Sequence, residues 1–219
     1  MRLAPSLVLT ATLVLTATPA LAEDIALIDS AVAAQPGAVA LYLQARGLYS
    51  LGQNAKDPLM VLTAARILHG LTLTETNRQP DPAPDAATAL TTADAAQLLT
   101  SARQLDAGRN YSDLIDMLAR EVPPRPKSLR ASASTLLPGQ SEVWTLPFFG
   151  GTHGELAVLG DGKSNLDMVV TGADDTQICL DKGSSDAAYC GFALVENGDV
   201  TVTVTNVGPK ADSYLLLTE

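Results

Sequence analysis

The sequence predicts an α+β chain of two domains, a small N-terminal α-helical bundle followed by a C-terminal antiparallel β-sandwich of jelly-roll-like form. Three observations predict it. Before residue 121 apolar residues recur at helical spacing behind capping residues, as where Asp57-Pro58 precedes Val61, Leu62, Ala65 and Leu68. After residue 131 the pattern changes to short alternating runs divided by Gly, Asp and Ser, with Val200, Val202 and Val204 set against Thr201, Thr203 and Thr205. Between the two, residues 122–130 are proline-stiffened and basic, carrying Arg125, Lys127 and Arg130, and read as a linker.

In chain order, Arg2, an apolar segment over 7–17 and the small-residue triplet Ala20-Leu21-Ala22 predict a secretory signal peptide over 1–22, cut after Ala22, with a membrane anchor, which Thr10, Thr12, Thr16 and Thr18 disfavour, as the alternative. No cysteine follows that site, so a lipoprotein anchor is not indicated. No later apolar run has the length to span a bilayer, and the expectation is an exported protein, periplasmic or extracellular. The net charge is -10. Twelve acids face only Lys163, Lys182 and Lys210 between Ala131 and Glu219. Such a surface repels phosphate backbones and excludes nucleic acid as a partner.

The helical domain is expected over 23–121. Helical spacing covers 23–34 and 39–51, which Gln35-Pro36-Gly37 separates and Gly52 would end. Asp57-Pro58 opens a third helix, Asp as cap and Pro at the first position. A shift of thirty-seven residues lays Asp57, Leu62, Thr63, Ala65, Arg66 and Leu68 onto Asp94, Leu99, Thr100, Ala102, Arg103 and Leu105. This D-x4-L-T-x-A-R-x-L repeat has the length of a tetratricopeptide unit without its Trp, Gly and Tyr positions. It stands for two similar helices packed in one bundle, or for a partner-binding groove between helix pairs. Arg66 and Arg103 are solvated or paired, or together grip a carboxylate. The Pro/Thr-rich stretch over 71–92, with Asp81-Pro82-Ala83-Pro84, reads as a flexible loop. A last helix covers 111–121 and stops before Pro123-Pro124.

The sandwich is expected over 131–219, with strands near 142–146, 155–159, 166–170, 177–180, 189–194, 200–204 and 214–217. Gly160-Asp161-Gly162 begins a polar turn joining the second and third of these as a pair. The run G-D-G-K-S-N-L-D-M-V-V from Gly160, the C-x10-C downstream, the acidic loop, T-V-T-V-T-N-V-G and the closing S-Y-L-L-L resemble the bacterial pre-peptidase C-terminal domain over about 140–219. The resemblance implies a small secreted β-sandwich, an accessory to exported enzymes, associated with substrate or surface binding and in some members with calcium. Lys163 stands where that family often has an acid. No peptidase sequence precedes the domain, so proteolysis is not implied.

Cys179 and Cys190 are the two cysteines, expected on neighbouring strands. In an oxidising compartment a disulfide closing that hairpin is the reading, with two buried free thiols as the alternative. Their spacing, without companion ligands, argues against zinc. Of the two histidines, His69 falls at a helix C-terminus, where it favours the last carbonyls, and His153 in a Gly-rich turn. Neither belongs to a catalytic arrangement. Residues 157–164 fit a relaxed phosphate-loop pattern, but a strand and not a helix follows, so nucleotide binding is rejected. Asp161, Asn165 and Asp167 supply hard oxygen ligands within seven residues, with Asp174, Asp175 and Asp181 on facing loops, and are the candidate calcium ligands. The ordinary alternative is turn chemistry and edge solubility. The expectation is a non-catalytic binding or accessory protein for a protein or surface polymer. Its alternatives are a periplasmic helical scaffold and, third, a hydrolase using acids at the domain junction.

Overall fold

The structure is a computed structural model that describes residues 36–84, 92–123 and 125–219. The predicted signal peptide, the predicted helix over 23–34 and part of the predicted loop over 71–92 lie outside the described residues. All the described residues fall in one compact unit.

The helical half contains α1 (Ala38–Ala55), α2 (Pro58–His69), α3 (Ala95–Leu105) and α4 (Ser112–Arg120). Gly52 does not end α1 as expected. It lies buried inside the helix, where an added Cβ would stand 2.8 Å from Val61 Cγ2, so it permits close packing of α1 on α2. Termination falls instead at Lys56, in the left-handed conformation at φ 54. Asp57 caps α2 by accepting the N–H groups of Leu59 and Met60 at 2.8 and 3.2 Å, and Asp94 caps α3 through Gln97 N–H at 2.8 Å. The repeat is therefore a shared helix design. Leu62 and Leu99 are buried, Ala65 and Ala102 are buried, and Thr63 and Thr100 each donate to the carbonyl four residues back.

Nine strands among the described residues build two sheets. They are β1 (Leu71–Glu75), β2 (Lys127–Leu136), β3 (Ser141–Phe148), β4 (His153–Gly160), β5 (Leu166–Thr171), β6 (Gln177–Asp181), β7 (Ala187–Ala193), β8 (Gly198–Asn206) and β9 (Asp212–Thr218). One sheet runs β1-β2-β9-β4-β7 and the other β3-β8-β5-β6. Every pairing is antiparallel except that of β1 with β2.

Two expectations change here. Leu71–Glu75, expected within a loop, is a strand, because Leu71 and Leu73 pack against the helical core while Thr72 and Thr74 point out. Lys127–Arg130, expected in the linker, is the start of β2 and pairs with β1. The helical half thus contributes a strand to the sandwich. Asp81 adds an antiparallel bridge to Val143 on β3, N–H to carbonyl in both directions at 2.8 and 2.9 Å.

The layers are helices, five-stranded sheet, four-stranded sheet. Leu129, Ala131, Ala157, Leu159, Leu215 and Leu217 face the helices, while Leu136, Leu156, Val158 and Leu216 face the second sheet. The alternation of each strand sends its two faces into two cores. Burial on both faces explains why β4 reads as a nearly unbroken apolar run.

Strands β4 and β5, expected to pair, lie in different sheets, and the turn after Gly160 crosses between them. The disulfide follows the same geometry. Cys179 on β6 and Cys190 on β7 are bonded, with Cα atoms 6.0 Å apart, and the bond ties the edge of one sheet to the edge of the other instead of closing a paired hairpin.

Candidate functional site

The polar turn after β4 is a hub of hydrogen bonds at one end of the sandwich. Asp212, at the start of β9 and fully buried, accepts Asp161 N–H at 3.0 Å on Oδ1 and Ser164 N–H at 2.9 Å on Oδ2. Asp186 accepts Gly162 N–H, and Gly162 takes φ +84, a conformation that favours glycine. Ser164 Oγ donates to Asn206 Oδ1 at 2.7 Å, and Asn206 Nδ2 donates to the carbonyls of Leu136 and Lys210 at 3.0 and 2.7 Å. Gly208 donates to Asn206 Oδ1, and an added Cβ there would stand 2.1 Å from Ser164 Oγ. The S-N of the turn and the N-V-G that ends β8 and follows it are thus one packed unit, which accounts physically for their residue types.

The three expected calcium ligands are not brought together as a set. Asp161 Oδ2 accepts the Lys163 ammonium at 2.7 Å. Asp161 Oδ1 and Asn165 Oδ1 are buried with no hydrogen-bond partner. Asp167 lies on β5 between Leu166 and Met168, whose side chains fill the inter-sheet core, and so sits on the outer face. Asp174 and Asp175 lie at the far end of β5, Asp174 bonded to Thr176, and Asp181 accepts Gly183 N–H. The acids that do approach the turn are Asp212 and Asp186. Burial, then the neighbouring carboxylates of Asp161 and Asp186, hold the Asp212 carboxyl above its usual value in spite of the Asp161 N–H. Among the described residues no group of three or more His, Cys, Asp or Glu side chains is arranged to hold a metal.

Two buried glutamates have opposite electrostatics. Glu142 on β3 accepts Ser134 Oγ at 2.9 Å and the Tyr214 hydroxyl, while Trp144 Nε1 donates to that hydroxyl at 2.7 Å. Burial outweighs these donors and raises the Glu142 carboxyl. Glu155 on β4 is as deeply buried, yet its carboxyl is held low. Burial pushes it up, but Ala40 N–H at 3.0 Å, the Tyr189 hydroxyl at 2.8 Å, Gly37 N–H at 2.9 Å and His153 at 3.3 Å together win. Burial and the Glu155 charge in turn push the Tyr189 phenol upward.

One concavity among the described residues is a groove of about 560 Å3 in the helical layer. Its apolar wall is Leu68, Leu71, Leu73 and Ala93, and its polar groups include Tyr42, His69, Glu75 and Asp94. Tyr42 is buried, its hydroxyl makes no hydrogen bond of normal geometry, and Arg46 is its charged neighbour. His69 Nε2 reaches the carbonyl of Glu121 after α4 instead of the carbonyls of its own helix. Arg103 pairs with Asp116 at 2.7 Å and Arg66 is exposed, so the repeated arginines stand singly. The groove differs from the one expected between helix pairs, because it is lined by β1, which the Pro and Thr content of 71–92 disguises. The L-T-L-T alternation at 71–74 was the signal available.

No protein-family model matches the chain, and no curated protein matches it. Among solved structures it is similar to the pre-peptidase C-terminal domain of a collagenase from Bacillus anthracis, at 15% identity over 41% of this chain and 87% of that one, with a TM-score of 0.34. It is also similar to a periplasmic inhibitor of g-type lysozyme from Aeromonas hydrophila, at 16% identity over 42% and 86% of the two chains, with a TM-score of 0.32. A carbohydrate-binding module in complex with calcium and xylotriose is similar at 8% identity over 39% and 76%, with a TM-score of 0.24. The first is a domain of the family that residues 140–219 resemble in sequence. Among the described residues no helix is long and apolar enough to cross a membrane.

Proposed function

We propose that this chain is an exported, non-catalytic binding protein whose partner surface is the helical layer over the five-stranded sheet. The observation that carries this reading is the groove of about 560 Å3 beside β1, within the size range of binding pockets and walled by apolar residues with a few polar groups. Export is supported by the signal-peptide pattern over 1–22 and by the Cys179–Cys190 disulfide, a bond that persists in oxidising compartments. The buried carboxylates of Glu155, Asp212 and Glu142 each accept structural hydrogen bonds, which is the work expected of a scaffold.

The test is photo-crosslinking in the exporting cell, with the reactive residue at His69 on the groove and, as control, at Asp167 on the outer face of the second sheet. The proposal expects a discrete adduct in the exported fraction from position 69 and not from 167. Adducts from 167 alone would reject the helical layer as the partner surface.

A calcium-dependent role at the polar turn is the second reading, favoured by the unpartnered oxygens of Asp161 and Asn165. Calcium takes six to eight oxygens, and here Lys163 competes for Asp161 while Asp167 points elsewhere. Melting the mature protein with calcium and with a chelator tests it.

A further inference from the structure

The groove runs along β1, the edge of the five-stranded sheet among the described residues, and the hydrogen bonding of β1 fixes which of its groups face that edge. Lys127 N–H donates to the Gly70 carbonyl and Thr76 N–H to the Ala131 carbonyl. With Leu71 opposite Lys127 and Glu75 opposite Ala131, the two-residue period of a parallel ladder turns the backbone of Thr72 and Thr74 toward β2. The N–H and C=O groups of Leu71, Leu73 and Glu75 therefore point the other way, where no strand lies among the described residues. These same three residues line the groove.

Exposed donors and acceptors in a row are a template for another strand. We infer that β1 receives an extended peptide of a partner protein as a sixth strand of its sheet, with alternate apolar side chains lying in the groove. This rests on the reading of the helical layer as the partner surface. Main-chain bonds to Leu71, Leu73 and Glu75 supply affinity, and the apolar wall of Leu68, Leu71, Leu73 and Ala93 selects side chains at every second position. Charge selects the rest. Glu75 and Asp94 are carboxylates of the groove lining, and no Lys or Arg is among its described lining residues; of the neighbouring cations, Arg46 stands beside Tyr42, and Lys127, in register with Leu71, donates to the Pro36 carbonyl. Arg130 lies next to Thr74 in register but alternates with Leu129 and Ala131, which face the helices, and so belongs to the opposite face. The peptide is therefore apolar and basic, with Lys or Arg near Glu75 and Asp94.

The probe is a fluorescein-labelled decapeptide alternating Val and Lys, titrated into the full mature chain and followed by anisotropy and by amide hydrogen exchange. Binding is expected to slow exchange at Leu73 and Glu75 and to leave Thr72 and Thr74, already bonded to β2, unchanged. Leu73→Pro removes an outward N–H that β2 does not use, which an edge strand tolerates. It is expected to weaken binding at least tenfold while Thr72 and Thr74 stay protected. Leu73→Ala, which trims the side chain but keeps the N–H, is expected to weaken it less than Leu73→Pro does.

The inference is overturned if the wild type fails to bind the peptide at about 1 mM, a very weak affinity. It is overturned equally if Leu73→Pro binds as the wild type does, or if exchange at Leu73 and Glu75 does not change on binding. A concentration-dependent dimer abolished by Leu73→Pro would name a second copy as the occupant and reject the peptide. Crosslinks from position 69 together with a failed strand test would retain the binding surface and remove strand addition alone.

Discussion

The carboxylate of Glu155 accepts the main-chain N–H of Gly37 at 2.9 Å across 118 positions of sequence, so a residue of the sandwich caps the first helix. Its other oxygen takes Ala40 N–H at 3.0 Å, and Glu219 takes Ala38 N–H. The first turn of α1 has no acidic residue or side-chain cap of its own. Two carboxylates, Glu155 of β4 and Glu219 just after β9, replace them, satisfying free N–H groups and complementing the positive end of the helix. Gly37 is needed for this approach, since an added Cβ would stand 2.4 Å from the Glu155 carboxyl carbon.

Glu155→Gln should therefore destabilise the protein by about 1.5–3 kcal/mol, the range of a hydrogen bond to a charged group, because the amide turns a donor toward one of two N–H groups. Glu142→Gln should stay within about 1 kcal/mol of wild type or exceed it, since a Gln oxygen can accept from Tyr214 while its amide donates to Ser134 Oγ, and a buried charge is removed. Urea unfolding at pH 7 measures both.

The same pair predicts opposite pH dependence. Glu155 is depressed in the folded state, so its contribution is complete above the ordinary value of 4.5 and is lost as pH falls through the folded value. Helix ellipticity in wild type should fall with acid over that window more steeply than in Glu155→Gln. Glu142 is raised, so stability is present below 4.5 and lost as pH rises through the folded value. The advantage of Glu142→Gln over wild type should accordingly grow between pH 4 and neutrality, as read from unfolding midpoints.

How far the sequence revealed this arrangement depended on the range of the interaction. Asp57-Pro58, the repeated Asp94 and the Val/Thr alternation of β8 act within a few residues, and each is where local rules put it. Glu155 opens the strand expected near 155–159, but nothing local marks it as a helix cap, because its partner Gly37 is distant in sequence. The basic residues of 127–130 suggested a linker, and nothing local reveals that they pair with β1. At the polar turn the residue types were recognised, but the ligand set was drawn from neighbours in sequence. The structure gathers Asp212 and Asp186 instead and leaves Asp167 on the other side of its strand.

Removing the inter-sheet bond should be felt at both sheet edges. By loop entropy a crosslink over 11 positions contributes about 2–3 kcal/mol. Cys179→Ser with Cys190→Ser should lower stability by that amount, and amide exchange should accelerate first in β6 and β7. Uniform acceleration throughout the sandwich would contradict the local role.

Lys163 bears on the calcium reading. Its ammonium neutralises Asp161, so Lys163→Ala should make the melting temperature more responsive to calcium than that of wild type. Saturation a hundredfold above Kd would add about 2.7 kcal/mol. Equal, null responses in both proteins would leave the acids to turn chemistry.

The measurement that tests the central claim most directly is amide hydrogen exchange of the free, full-length mature protein at β1, read residue by residue. An open edge predicts a two-residue alternation, with Leu71, Leu73 and Glu75 exchanging fast and Thr72, Thr74 and Thr76 slow. Uniformly slow exchange across the strand would mean that the edge is already covered within the chain, and would contradict a binding surface at the groove.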